Sequence, residues 1–544
     1  MTTTYFIPVR LRFIFSKMEV AVSHNSHETI ELYFSCVNLP DKDVMSKSDP
    51  CIRLMCQNRG APSAINVGQT EVLQNNLNPT FKRAIPFIYQ FESQQTLNIQ
   101  CVDIDGQGSN ELLGQATCTM AEIMMSPPEG LTLALQNSSK KKSTVTIRYI
   151  RIGETNKSYL FKVRCTKVKD IEWFSKSDPF LRIYRPSPHF EGTTDPNQVP
   201  AQGWVQIHET EFHKDNLNPV FNQFTLNGAT LNRGNSKMIN RWEIWDYSNR
   251  GKHELIGFEH RSVSDILNGS RHIETRDLKG KFAGNILLDD VRAVVQYPIS
   301  EYIRMGLNLN LSIAVDFTGS NGIQKSPSSL HYLSSTMNQY QNAIVEVGIV
   351  IMDYDYDKMI PAYGFGAKLQ GTGGTSFCFP LNRDYQRPQL QSWEGVLQAY
   401  TQLLPTLEFS GPTNFSPIIQ ETLKAVKLGS VQNKMAYSIL MILTDGLITD
   451  YQETVQAIVE ASSLPMSIII IGVGNEDFSQ MDRLDADQGV LKDHFGKVAL
   501  RDIVQFVPFR QFAHCPAMLS EAVLRELPRQ VDQFYQAIGM APQL

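Results

Sequence analysis

Two hydrophobic rhythms divide this chain. Up to about residue 297, short runs alternate apolar and polar residues, as in Thr29 to Val37, Leu97 to Val102 and Leu160 to Cys165. Turns rich in Asp, Asn, Pro and Gly separate them, which predicts strands half-buried in β-sandwiches. From about Glu301 the rhythm changes. Leu307 to Val315, Tyr437 to Leu443 and Met466 to Val473 are nearly continuous apolar runs, as expected of strands covered on both faces of a parallel sheet. Helical patterns lie between and after them: Ser328 to Tyr354, Trp393 to Leu407, Phe415 to Leu428, Tyr451 to Ser462 and Leu519 to Ile538. The predicted fold is multidomain, with all-β sandwiches followed by a doubly wound α/β domain.

The β-rich part contains a repeat. Ser46-Lys47-Ser48-Asp49-Pro50 returns as Ser175-Lys176-Ser177-Asp178-Pro179, Asn76-Leu77-Asn78-Pro79 as Asn216-Leu217-Asn218-Pro219, and Glu111-Leu112-Leu113-Gly114 as Glu254-Leu255-Ile256-Gly257. The order is kept while the offset grows. This predicts two copies of one domain with insertions in the second, including a loop over Pro186 to Gly203. The expected division is an extension at 1–23, copies at 24–150 and 151–297, and the α/β domain at 298–544.

The carboxylates of the first copy gather at two places. Asp43 and Asp49 flank the loop after the first strand; Asp103, Asp105 and Glu111 stand at the end of a later one. Asp103 and Asp105, two residues apart on a strand, share one side. Five converging acids repel one another unless a hard cation sits among them, and calcium takes six to eight oxygens. The pattern Asp-x5-Asp-Pro with Asp-x-Asp-x5-Glu resembles the calcium-binding loops of C2 domains, with Glu111 where that family usually has Asp. In the second copy the matching positions hold Glu172, Asp178, Asp246, Ser248 and Glu254. Ser248 removes one anionic ligand, so calcium there is expected to bind more weakly; the spacing of Asp170 does not fit a substitute. Trp173 and Phe174 at the loop tip suit either a lipid interface or the domain's own edge, and Lys140-Lys141-Lys142 reads as a solvated turn.

In the α/β part, Asp316-Phe317-Thr318-Gly319-Ser320 and Thr444-Asp445-Gly446 each follow a buried strand, and Gly411-Pro412-Thr413-Asn414 opens a helix. Ligands in such folds bind beyond the carboxyl ends of the strands. These motifs resemble the metal-ion-dependent adhesion site of von Willebrand factor A domains. The resemblance implies Asp316, Thr318, Ser320, Thr413 and Asp445 as contributors, with Thr318 in place of a usual Ser. Two carboxylates and three hydroxyls suit magnesium or manganese.

Two C2-like repeats followed by one A domain resemble the copine family. Further stretches share the likeness: Ser329-Leu330-His331-Tyr332, Pro361-Ala362-Tyr363-Gly364-Phe365-Gly366-Ala367 and Gly411-Pro412-Thr413-Asn414-Phe415. The resemblance implies a cytosolic calcium-dependent adaptor that moves to anionic phospholipid membranes, the plasma membrane among them, and recruits protein partners with acidic contact residues.

Composition narrows the alternatives. The charge is −5 over 544 residues, with the excess of acid in the α/β part, which does not suit a nucleic-acid binder. Apolar runs are far shorter than the roughly 20 residues of a membrane-spanning helix. Arg10 and Arg12 interrupt the apolar stretch a signal peptide needs, and the eight cysteines show no CxxC pair, so a reducing cytosol is expected. No G-x-S-x-G, G-x-x-x-x-G-K-[ST] or H-E-x-x-H motif is present. The expectation is a non-enzyme, with a calcium-independent interaction scaffold as the alternative and hydrolysis at the A-domain metal as a remote one.

Overall fold

The computed structural model describes residues 27–43, 46–104, 110–136, 142–151, 156–172, 175–187, 190, 193, 195–248, 253–371, 373–485 and 491–542. Val9, Leu11, Phe13 and Phe15, whose alternation in the extension reads as a strand, lie outside them, as do Asp105, Lys140 and Lys141, and the tip residues Trp173 and Phe174. The chain forms two compact units. One holds the first β-sandwich and the α/β region; the other, 153–297, is the second sandwich, inserted between them in sequence.

The first sandwich stacks two four-stranded sheets. One has the order β4 (Ile85–Gln90), β1 (His27–Val37), β8 (Thr144–Arg151), β7 (Leu131–Ala134); the other has β3 (Ile65–Gln69), β2 (Pro50–Asn58), β5 (Gln95–Ile104), β6 (Asn110–Thr119). Alternation sets which face is buried: along β1, Ile30, Leu32, Phe34 and Cys36 point inward while Glu31, Tyr33 and Ser35 are more exposed. Leu54, Leu97 and Ile99 of the facing sheet are fully buried and close the core.

The second sandwich repeats this plan with β9 (Asn156–Thr166), β10 (Pro179–Pro186), β11 (Trp204–Glu209), β12 (Phe224–Asn227), β13 (Ile239–Asp246), β14 (Glu254–Ser262), β15 (His272–Arg276) and β16 (Phe282–Gln296). Its strand order β11-β10-β13-β14 matches β3-β2-β5-β6, and β15-β16-β9-β12 matches the other sheet. A single pair, Phe258 with Arg276, joins the two halves. Trp242 and Phe161, both fully buried, meet edge to face at 5.6 Å in its core. The Pro186 to Gly203 loop contains two short 3-10 turns, Pro196–Gln198 and Ala201–Gly203.

The α/β region has a parallel core of β18 (Met359–Phe365), β17 (Asn308–Asp316), β24 (Ala436–Thr444), β25 (Met466–Gly472) and β26 (Val504–Pro508), in that order. Short strands β19 (Ala367–Lys368), β20 (Thr375–Ser376), β21 (Phe379–Pro380), β22 (Gln389–Gln391) and β23 (Glu408–Phe409) decorate one side. Every residue of β25 is buried, because helices cover both faces. Gly364 belongs to β18, where an added Cβ would lie 2.6 Å from the Phe379 ring and 2.7 Å from that of Phe317. The expected helix Ser328 to Tyr354 begins only at Gln339, capped by Asn338; Ser329 to Tyr332 are spent on turns that bury His331. Leu519 to Ile538 divides into Leu519–Leu524 and Leu527–Ala537, the second opening with Pro528 in its first turn.

Removing the Trp242 ring leaves a large cavity in a closed core. Trp242→Ala should cost the second sandwich about 3–5 kcal/mol, read as a lower urea midpoint for its unfolding; an unchanged midpoint would contradict the packing.

Candidate metal sites

The two sandwiches build their acid loops bond for bond alike. In the first, the Asp49 amide donates to Asp103 Oδ1 at 2.6 Å, and the Asn75 amide donates to Asp49 Oδ1 at 2.7 Å. In the second, the Asp178 amide donates to Asp246 Oδ1 at 2.6 Å, and the Asp215 amide to Asp178 Oδ1 at 2.7 Å. Asn75 and Asp215 both sit at positive φ, 56° and 54°, a conformation that Asn and Asp tolerate better than most side chains. Strand pairing brings the remaining acids in: Asp103 lies opposite Glu111, and Asp246 opposite Glu254.

Asp103 is wholly buried, and its Oδ2 has no hydrogen-bond partner. A buried carboxylate oxygen left unpaired is costly, so the first cluster fits a cation that would take it. Asp43 accepts the Ser46 hydroxyl at 2.7 Å, and exposed Glu111 is 3.3 Å from Lys42 Nζ. In the second cluster, burial and then the charges of Glu172, Asp178 and Glu254 push the Asp246 carboxyl up to about 6. These four acids therefore feel one another. Glu172 accepts the Ser175 hydroxyl, and Asp170 accepts the Ser177 amide at 3.2 Å, which ties Asp170 into its own turn. The Ser248 amide donates to His253 Nδ1 at 3.1 Å.

At the carboxyl edge of the α/β sheet, Asp316 is completely buried. Its Oδ1 accepts the Thr318 amide at 2.8 Å and the Thr318 hydroxyl at 2.6 Å, and its Oδ2 accepts the Thr444 hydroxyl at 2.7 Å. Ser320 Oγ lies 2.9 Å from the Thr318 hydroxyl and donates to Asp445 Oδ1 at 2.9 Å. The edge thus joins Asp316, Thr318, Ser320 and Asp445 in one continuous network. The loop carrying Thr413 is fixed beside them: Gly319 donates to the Ser410 carbonyl at 2.6 Å, and Thr449 to that of Thr413 at 2.8 Å. Gly366, at φ 79°, permits this approach, since a Cβ there would meet the Thr318 methyl at 2.3 Å. Asp445 Oδ2 is buried without a partner. Burial, then the nearby Asp316 charge, pushes the Asp445 carboxyl up to about 7, and burial raises Asp316 as well. An oxygen donor set with one orphaned carboxylate oxygen fits a small divalent cation.

Sequence reasoning missed several supporting residues. Thr444, Asn75 and Asp215 hold the acids in place. His331 is buried and donates from Nε2 to the Asp316 carbonyl at 2.8 Å while accepting the Tyr400 hydroxyl at 2.7 Å. Burial lowers this imidazole to about 3, so it stands neutral. Thr444, next to Asp445, and His331, within the Ser329 to Tyr332 stretch, carried a signal in the chain. Among the described residues, no three His, Cys, Asp or Glu side chains converge closely enough to form a metal centre by themselves. The sheet-edge network supplies two carboxylates and completes itself with hydroxyls, and the first acid cluster includes Asp105, outside the described residues. No helix among those residues is long and apolar enough to cross a membrane.

A carboxyl whose folded value lies above its unfolded one binds its proton more tightly in the folded chain. Its contribution to stability therefore falls as pH rises from about 4 through about 7. In the presence of a chelator, Asp445→Asn should raise the α/β domain's unfolding midpoint at pH 7.5 and change it much less at pH 4.5. Scanning calorimetry checks this; a lowered midpoint at pH 7.5 would refute the electrostatic account.

Comparison with known proteins agrees with this architecture. The Copine family model matches residues 329–543, and the C2 domain model matches 32–135 and 159–278. Copine-E of Dictyostelium discoideum is 35% identical over 530 residues, covering 95% of this chain and 88% of that protein. Among solved structures, BON1-C2B is 26% identical over 26% of this chain and 94% of its own, with a TM-score of 0.21. The calcium-bound pair of C2 domains from Extended-Synaptotagmin 2 is 12% identical over 49% of this chain and 98% of its own, with a TM-score of 0.22.

Proposed function

This chain belongs to the copine family, with two C2 sandwiches ahead of a von Willebrand factor A-like domain, and on that premise we propose that it is a calcium-switched membrane adaptor rather than an enzyme. Its home is the cytosol, and a rise in calcium moves it to anionic phospholipid membranes. The domain limits we assign are 24–150, 151–297 and 298–544, after an extension at 1–23.

The observation that carries this reading is the buried, half-paired Asp103 at the centre of the first acid cluster. Asp43, Asp49, Asp103, Asp105 and Glu111 would hold calcium there. Calcium, when bound, supplies the positive charge that offsets their repulsion and attracts anionic headgroups. The chain's own part is to fix the loops: Asn75 and Asp103 hold Asp49 from two sides through backbone hydrogen bonds. Glu172, Asp178, Asp246 and Glu254, which do not converge closely enough to form a metal centre by themselves, would hold calcium more weakly in the second copy, because Ser248 brings no charge.

Asp316, Thr318, Ser320, Thr413 and Asp445 would hold magnesium or manganese at the A-domain edge. That ion supplies a coordination position for a carboxylate oxygen of a protein partner. Thr444 and His331 keep Asp316 in place from either side.

Asp103→Asn should abolish calcium-dependent sedimentation with phosphatidylserine vesicles, while Asp246→Asn should shift the calcium demand only modestly. Sedimentation of the Asp103→Asn chain equal to the parent's would refute the assignment. Asp316→Ala should lose the cytosolic proteins that the parent captures in magnesium and releases in EDTA, yet keep vesicle binding. Identical captured proteins with and without EDTA would place partner recognition elsewhere.

A further inference from the structure

The first sandwich has two poles. Its acid loops lie where β1 ends, β2 and β6 begin and β5 ends, at Asp43, Asp49, Glu111 and Asp103. The opposite ends of the same strands meet the α/β domain. Glu28, near the start of β1, accepts the Ser300 hydroxyl and lies 3.7 Å from Arg151 at the end of β8. Arg59, just past β2, clasps Glu346 with two hydrogen bonds of 2.7 and 2.9 Å. Tyr89, in β4, and Tyr354 share a buried hydrogen bond of 2.7 Å between their hydroxyls. Gln94, ahead of β5, donates to Asp353 at 3.0 Å.

This contact is built like a domain interior. Phe91 is fully buried and packs on Tyr354 at 4.9 Å between ring centroids. Glu28 and Glu346 are each only 7% exposed, and opening the contact would strip Glu346 of Arg59 and Glu28 of the Ser300 hydroxyl. On the α/β side, the contact uses the second half of helix Gln339–Met352 and the amino end of the sheet. The Tyr354 carbonyl accepts the amide of Leu309, at the start of β17. Asp316 stands at the other end of β17.

We propose that the first sandwich is a rigid spacer that holds the A domain on the pole opposite its acid loops, with the sheet's carboxyl edge directed away from them. The nine residues of β2 set a span of about 30 Å between loops and contact, and Asp316 stands at the end of β17 farther from that contact. This rests on the proposed membrane reading only for its consequence. A protein captured at Asp316 and Asp445 is held clear of the bilayer to which the acid loops bind.

Two measurements on the full-length chain test it. In scanning calorimetry, the first sandwich and the α/β domain should unfold in one transition. Arg59→Glu should lower or split that transition, and adding Glu346→Arg should restore it. Separate transitions in the parent, no effect of Arg59→Glu, or no rescue by the swap would each overturn the spacer. The second measurement uses Cys515→Ser chains carrying a dye at Val37→Cys, on the acid pole, or at Leu447→Cys, beside the carboxyl edge; both positions are 53% exposed. On phosphatidylserine vesicles with calcium, energy transfer to acceptor lipids should be several-fold stronger from position 37 than from 447. Equal transfer would overturn the spacer. Failure of the labelled chains to bind vesicles at all would count against the membrane reading, and calorimetry would still decide on the spacer.

Discussion

A carboxylate buried with one oxygen unpaired organises the first sandwich's acid pole. Asp103 gives one oxygen to the Asp49 amide and keeps the other free inside the fold. That arrangement holds Asp49 and the loop before it within reach of the β5–β6 end, where Glu111 pairs with Asp103. The free oxygen is an energetic deficit that the proposed cation would relieve. Asp445 repeats this logic at the α/β edge, with a buried unpaired oxygen beside a second buried carboxylate. Unrelated folds thus share one feature, a buried carboxylate held through one oxygen while the other has no hydrogen-bond partner.

The two sandwiches show how far a repeated scaffold can diverge in chemistry while keeping its bonds. The amides of Asn75 and Asp215 do the same work, yet the second side chain adds a charge beside Asp178 where the first adds none. Ser248 replaces an acid, and its amide is held by the His253 ring. The loop frame is therefore common to both copies, and the charge distributed over it is not. The proposed difference in calcium demand would follow from that distribution rather than from any difference in fold.

Much of this was legible in the chain. The Ser-Lys-Ser-Asp-Pro repeat marked both acid loops, and buried runs ending in Asp316 and before Asp445 marked the sheet edge. Local pattern failed where long-range packing decides. No predicted strand covers Pro361 to Ala367, yet most of it is strand β18, where Gly364 makes room for two aromatic rings. Ser328 to Met337 carries helical periodicity, but the buried His331 bonds to Asp316 and Tyr400 hold it in turns. Asn75 and the contact of Arg59 with Glu346 depend on partners distant in sequence, so no spacing rule announces them.

The most direct test of the account is calorimetric titration of calcium into the full-length chain, with the unfolding midpoint followed in parallel. Saturable binding that raises the midpoint is expected, with loss of that binding's largest component when Asp103 becomes Asn. An absence of heat and of any shift in the midpoint would contradict it.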